Sequence, residues 1–365
     1  MGKQSVSMDN MIELAGAKWF LDYKSSTLYE ADLEGLTIKP RALLSKGDYK
    51  DYPKVYGSIL AANGRIFAIP EAPIPIAVYD PEKQKATYIE YKMDFEGFPG
   101  KIFAGAVQKD RFVYLIPCCY GSIVKIDVFT EELSYYPLQD FYYNGAEPAF
   151  LFDGFIEKKD GFWFSTYKGN KVLSFDYETG HTVLECELPQ ENAICGLTGN
   201  QDVFYIIPIK AEKIYKYSAK DKKLCEMEIF PADYEAGKWS FSRIITEGDR
   251  SYLLPRDANG LCIMENETIV KMIKKETGKA ADYFDKYFYF SNAFRWNNRL
   301  FVFGGTDGDF AIYNEDYTLD KVSRFSVSVS ECDTSYRDLN EMIKETRTWN
   351  VEWFIEELLN SDKRN

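Results

Sequence analysis

The sequence predicts an all-β fold made of one four-stranded unit repeated along the chain, and three observations predict it. Aromatic-rich apolar runs recur at a nearly constant interval, an Asp-type residue recurs in step with them, and a short polar turn precedes nearly every run. Aromatic residues reach 16% of the chain, with 27 Tyr and 26 Phe, and flat rings pack well on a pleated surface.

The first column is the last residue of each apolar run. FLDY, FAIP, YLIP, WFST, YIIP, YLLP and FVFG end at Tyr23, Pro70, Pro117, Thr166, Pro208, Pro255 and Gly304, in steps of 47, 47, 49, 42, 47 and 49. The second column closes the following run, at Asp32, Asp80, Asp127, Asp176, Ser218, Glu265 and Asn314, in steps of 48, 47, 49, 42, 47 and 49. Both columns keep step through the short fourth interval. Asp, Asn and Ser side chains accept from backbone N–H groups two residues on and so start turns. DPEKQK, DVFTEE, DYETGH and NEDYTL follow at these points as hairpins. The third signal is NGR (63–65), KDR (109–111), KDG (159–161), NQD (200–202), GDR (248–250) and NNR (297–299), each a tight turn between strands.

Each unit therefore holds four short strands, a to d. In the third unit the pattern predicts a near Ile102–Val107, b at Phe112–Pro117, c at Ile123–Asp127 and d at Leu133–Leu138. Four antiparallel strands repeating every ~40–50 residues are the signature of a β-propeller. Residues 1–330 are thus read as a seven-bladed β-propeller of four-stranded antiparallel blades. Six or eight blades remain open if an end unit is not a true blade, and ADLEGLTIKP in the first unit matches most loosely. A β-sandwich or a pair of smaller β domains is the competing arrangement, but no Pro/Gly/Ser-rich linker breaks the spacing.

The chain resembles the WD40, Kelch and NHL propellers in architecture. That resemblance implies the fold and carries no functional residue across. There is no Gly-His…Trp-Asp pair, and the Gly-Gly of Kelch blades occurs once, at Gly304-Gly305. Residues 331–365 lose the period of two. There Met342, Ile343, Trp349, Trp353, Ile355 and Leu358 predict a short C-terminal α-helical extension, packed on the propeller or docking a partner.

The 365 residues carry a net charge of −13, with no basic cluster to displace counterions, so neither nucleic acid nor an anionic membrane surface is expected as a partner. The acidity is read as solubility. The first residues, MGKQSVSMDNMIELAG, lack the apolar core of a leader peptide, and no apolar run approaches the length of a membrane span. The seven Cys (118, 119, 186, 195, 225, 262, 332) are odd in number and form no C-x-x-C. We read them as reduced thiols in a cytoplasmic protein, with a vicinal Cys118–Cys119 disulfide as the alternative.

In a propeller the d–a loops share one face with the b–c turns, and the a–b and c–d hairpins share the other. Here the hairpin face is short and charged. The d–a loops are long and aromatic: KGDYKDYPKVY (46–56), KMDFEGFPG (92–100), QDFYYNGAEPAF (139–150), PADYEAGKWSF (231–241) and KAADYFDKYFYF (279–290). Loops held by a rigid scaffold carry function. The candidate rings are Tyr52, Phe98, Tyr143, Trp239 and Tyr287, and the b–c turns add Lys24, Glu71, Lys168, Lys210, Arg256 and Asp307. Rings with converging polar groups suit a protein, a peptide, or a glycan or other small ligand. The plain alternative is that the rings pack their own loops down.

Catalytic signals are sparse. The single histidine, His181, falls in the hairpin YETGHT on the opposite face, which leaves no Ser-His-Asp or Cys-His set away from it and no multi-His zinc site. There is no phosphate-binding P-loop. Carboxylates near the channel mouth (Glu71, Glu147, Asp153, Asp307, Asp309) keep glycoside chemistry or a bound Ca²⁺ open, and TDGD (306–309) is a fragment of a Ca²⁺ loop. No cofactor and no metal are expected. The leading expectation is a non-catalytic binding propeller that uses its loop face. The rival is a carbohydrate-active hydrolase or lyase with paired carboxylates.

Overall fold

In a computed structural model, residues 8–22, 25–45, 55–93, 101–138, 151–166, 169–189, 193–274, 290–304 and 309–327 are described. They form a seven-bladed β-propeller. Blade 1 holds β1 (Met8–Leu14), β2 (Ala17–Asp22), β3 (Thr27–Asp32) and β4 (Thr37–Leu43), and blade 2 holds β5 (Tyr56–Ala62), β6 (Arg65–Pro70), β7 (Ile76–Asp80) and β8 (Lys85–Ile89). Blade 3 is β9 (Phe103–Lys109), β10 (Phe112–Pro117), β11 (Ser122–Asp127) and β12 (Leu133–Pro137). Blade 4 is β13 (Leu151–Lys158), β14 (Gly161–Thr166), β15 (Lys171–Asp176) and β16 (Thr182–Glu187). Blade 5 is β17 (Ile194–Gly199), β18 (Val203–Pro208), β19 (Ile214–Ser218) and β20 (Lys223–Met227). Blade 6 is β21 (Phe241–Glu247), β22 (Arg250–Pro255), β23 (Gly260–Glu265) and β24 (Thr268–Lys274). Blade 7 is β25 (Phe290–Trp296), β26 (Arg299–Gly304), β27 (Asp309–Tyr313) and β28 (Leu319–Arg324), and β29 (Ser326–Val327) follows. The expected strands of the third unit are all present, with the a strand displaced slightly toward its hairpin. No helix occurs among the described residues, and the expected C-terminal helical extension lies outside them.

Strand b is buried on both sides by neighbouring blades, so its residues read as one continuous apolar run rather than an alternation. In β6, β10, β18 and β22 every residue after the first is buried. The outer d strands are half exposed, as in β12 and β16. The Asp column works as its chemistry predicts. Asp32 Oδ1 accepts from the N–H groups of Glu34 and Gly35 at 3.0 and 3.1 Å, and Asp176 Oδ1 from those of Glu178 and Thr179 at 3.1 and 2.7 Å. The a–b turns of blades 2 and 7 have positive φ at both central residues, Asn63 and Gly64 in one and Asn297 and Asn298 in the other, the twist that joins two strands with a two-residue loop.

The core is a ring of blade-to-blade seals. One apolar cluster occupies each junction, and β1, β5, β9, β13, β17, β21 and β25 meet their neighbours around the centre. Each inner strand also carries a bulge near its start, where the chain arrives from the d–a loop. In five blades the bulged residue is small: Gly57, Ala104, Cys195, Ser242 or Ser291. None of the six described cysteines forms a disulfide, so Cys118 and Cys119 are not joined to each other.

Closure uses the segment that follows blade 7. After β28 the backbone crosses to blade 1, where β29 pairs in parallel with β4, Ser326 opposite Thr37 and Val327 opposite Ile38. The connecting Phe325 is fully buried and its ring lies 5.8 Å from Phe20 of blade 1 and 4.8 and 6.2 Å from Phe310 and Phe303 of blade 7.

Two substitutions test this packing by urea unfolding of the purified chain. Phe325→Ala empties the seam and is expected to cost about 3–5 kcal/mol. A loss below 1 kcal/mol would mean that β29 and the other residues of the seam cluster close the ring without Phe325. Gly154→Ala on β13 drives a methyl toward backbone of the next inner strand, 2.6 Å from Leu197 N and 2.8 Å from Gly196 Cα, and is expected to cost about 1–3 kcal/mol. Gly196→Ala meets only the Ile244 side-chain tip at 2.8 Å and should cost less.

Candidate functional site: the loop face at blades 5 and 6

Among the five aromatic loops, the one between blades 5 and 6 is described throughout. Its rings Phe230, Tyr234 and Trp239 are all half-buried against the blade 5–blade 6 cluster and differ in what they stack on. Phe230 and Tyr234 stack at 4.1 Å and 13°, and both lie nearly parallel to the buried Phe241, at 6.1 and 6.2 Å. These rings pack the loop onto the propeller. Trp239 stays half exposed and takes the Arg256 guanidinium over its face, 4.2 Å from the ring centroid.

The loop is clamped at both ends. Asn259 donates to Asp233 O at 2.9 Å, Glu235 N donates to Asn259 Oδ1 at 3.0 Å, and Asn259 N donates to Glu235 O at 3.1 Å. Lys274 of β24 binds Asp233 at 2.6 Å and holds that carboxyl below the usual carboxylate range. Trp239 N donates to Asp257 Oδ2 at 2.8 Å, and Asp257 N donates to Trp239 O at 3.0 Å. Gly237 has φ 71° and lies against Asp257 so closely that a Cβ would overlap it.

A backbone node joins this loop to the turns beside it. Ser240 N donates to Ile209 O at 2.8 Å, and Ser240 O accepts from Arg256 N at 2.9 Å and Ala258 N at 3.1 Å. Ser240 Oγ accepts from Ala211 N at 2.8 Å. Lys210, Trp239 and Arg256, expected separately from three segments, therefore share one corner. Lys210 is exposed and pairs with Glu212 at 2.6 Å. The link between a b–c turn and the next blade recurs elsewhere: Ile102 N donates to Glu71 O at 3.0 Å, and Ile194 N to Gly169 O at 3.2 Å.

Glu71 sits apart from this corner, on blade 2. It is buried against the bulge at Gly57, where a Cβ would overlap its side chain, and pairs with Lys101 of the next blade at 3.0 Å. Asp309 starts β27 and pairs with Arg324. Tyr52, Phe98, Tyr143, Lys168, Tyr287 and Asp307 lie outside the described residues, as do Lys24 and Glu147, while Asp153 falls on β13. His181 is exposed in its hairpin on the other face.

Lys101, Arg243 and Asp257 were not singled out from the sequence. Arg243 follows the bulge at Ser242 and donates to Ser291 O of blade 7 at 3.0 Å. The available signal was the small residue placed just after the first residue of several inner strands. Among the described residues no three His, Cys, Asp or Glu side chains form a metal-binding group. Burial pushes the Cys186 and Cys262 thiols up to about 12, so neither supplies a thiolate at neutral pH.

No family model matches the sequence, and no curated protein matches it. Solved structures match the fold. Virginiamycin B lyase from Staphylococcus aureus has a TM-score of 0.58 at 15% identity, over 84% of this chain and 97% of its own. BamB from Moraxella catarrhalis has a TM-score of 0.55 at 15% identity, over 88% of this chain and 86% of its own. YCF48 bound to D1 peptide has a TM-score of 0.57 at 10% identity, over 84% of this chain and 92% of its own. These likenesses define the class, a seven-bladed β-propeller, and no narrower family.

The Trp239–Arg256 contact is testable by a double-mutant cycle in urea. Trp239→Ala, Arg256→Ala and the double variant should give a coupling of about 0.5–2 kcal/mol, as for a partly buried cation–π pair. A coupling indistinguishable from zero would show that the two side chains are placed independently.

Proposed function

We propose that this chain is a non-catalytic binding propeller that takes a protein or peptide on its loop face, at the corner between blades 5 and 6. The observation that supports this reading is the half-exposed Trp239 under the Arg256 guanidinium, on a loop clamped by Asp257 and Asn259. Trp and Arg are the residue types that dominate binding energy at protein interfaces, and a preordered platform spares the entropy of ordering it on binding. Lys210 adds an exposed cation beside it. The cytoplasmic placement expected from the thiols belongs to the same proposal.

The carbohydrate-active enzyme gains less support. It needs two carboxylates facing each other at about 5–9.5 Å. Of the candidates, Glu71 and Asp309 lie on different blades, each held by a cation, and Asp153 lies on a third blade, on β13.

Peptide-display selection against the full chain, followed by calorimetric titration of the recovered peptides, tests the reading. Affinity should fall at least tenfold in Trp239→Ala and in Arg256→Ala. Unchanged affinity in the Lys210→Ala, Trp239→Ala, Arg256→Ala triple variant would remove the corner as the site. A rise in melting temperature with one oligosaccharide or with Ca²⁺ would favour the enzyme instead.

A further inference from the structure

We propose that the blade 7–blade 1 seam carries a second binding site, on the hairpin face, for a small planar aromatic carboxylate. A cavity of about 280 Å³ opens there between the two ends of the ring. Sites for drug-sized ligands span ~300–1,000 Å³, so this one fits a single ring with one substituent.

Its floor is apolar and buried. Leu33 comes from the c–d hairpin of blade 1, and Phe301 and Ile312 come from β26 and β27; they are 4%, 1% and 1% exposed. Trp296 forms a wall and meets Phe301 edge-on at 6.3 Å and 69°. An aromatic ring laid between these side chains gains both apolar burial and ring contact.

The rim supplies the charge. Trp296 and Arg299 are opposite each other across the tight Asn297–Asn298 turn, so the ring wall and the guanidinium share one hairpin. Arg299 is half exposed, and its carboxylate neighbour Asp320 lies 3.8 Å away, beyond hydrogen-bond range. Its planar fork is therefore open to a carboxylate that binds through two parallel N–H groups. Lys321, on the adjoining β28, has no ion pair among the described residues and adds a second cation to the same side. Glu34 stands on the blade 1 side and directs an anionic group away from itself, toward blade 7. A neutral ring would leave Lys321 unpaired and Arg299 with only Asp320 at 3.8 Å, and an aliphatic acid would leave the Trp296 face uncovered.

A ligand here touches both the first and the last blade, so its binding stabilises the closed ring by mass action. The site is on the face opposite Trp239 and stands or falls independently of the loop-face proposal.

The probe is benzoate, with benzamide and acetate as controls, added to the full chain and followed by thermal shift and titration calorimetry. Benzoate should raise the melting temperature with increasing concentration and bind with a Kd in the millimolar range or tighter. The affinity should fall at least tenfold in the Arg299→Ala, Lys321→Ala double variant and in Trp296→Ala, and benzamide and acetate should each bind at least tenfold more weakly. Arg299 and Lys321 are surface side chains, so the melting temperature of the unliganded double variant should stay at the wild-type value. No benzoate binding at millimolar concentration, or an unchanged Kd in the double variant, would overturn the site. Acetate binding as tightly as benzoate would overturn its assignment to an aromatic ligand.

Discussion

Every blade is apolar on both faces and can bury neither face by itself. A four-stranded sheet with burial like that of β6, β10 or β22 has no stable existence in water until a second sheet covers each side. A row of such sheets always leaves two end faces, and a ring leaves none. Six junctions follow from chain order, because each blade is built from consecutive strands. The seventh joins the first blade to the last and needs a separate device. Here it is Phe325, inserted between Phe20 and the blade 7 rings, with β29 laid along β4. The last described residues of the chain thus hold its first strands in place.

This arrangement explains why function can sit on loops whose sequences contribute little to the core. The inner-strand starts and the b–c turns are bonded across blades through Ile209, Ser240 and Arg256, and again through Glu71 and Ile102. Side chains on those turns are fixed relative to one another even when they come from distant segments. Lys210, Trp239 and Arg256 meet because Ser240 binds both flanking turns at once. The bulges assist by placing small residues where neighbouring strands crowd, as at Gly57 beneath Glu71.

The fold was legible wherever a residue type had one physical job repeated seven times. The doubly buried b strand produced the FAIP-like runs, and the turn-starting carboxylates produced the Asp column. What escaped notice was whatever occurs once or depends on backbone geometry. β29 is two residues long and sits beyond the last repeat, so no periodicity announces it. The bulges leave a trace only as a small residue near the head of an inner strand, and Gly, Ala, Cys and Ser do not look alike in a sequence. The site was legible as residue types on a face. Its assembly was not, because the sequence does not say which turns Ser240 will join. Nor does it separate Trp239, which takes the Arg256 guanidinium over its face, from Tyr234, which stacks on Phe230.

The charge of the chain follows the same logic. A net charge of −13 invites a search for an acidic functional cluster. Yet Asp32, Asp80, Asp127 and Asp176 spend their carboxylates on hairpin N–H groups. Hydrogen bonds from Lys83 and Arg111 do most to hold the Asp80 and Asp127 carboxyls below the usual range, and the Thr179 N–H does most for Asp176. Glu71 and Asp309 are tied to Lys101 and Arg324. These carboxylates are turn and pairing chemistry, four of them repeated from blade to blade. Two cations near aromatic rings lie at the two proposed sites: Arg256 on Trp239, and Arg299 opposite Trp296 across its turn. A ligand that recognises this protein by charge is accordingly expected to bring the negative group itself.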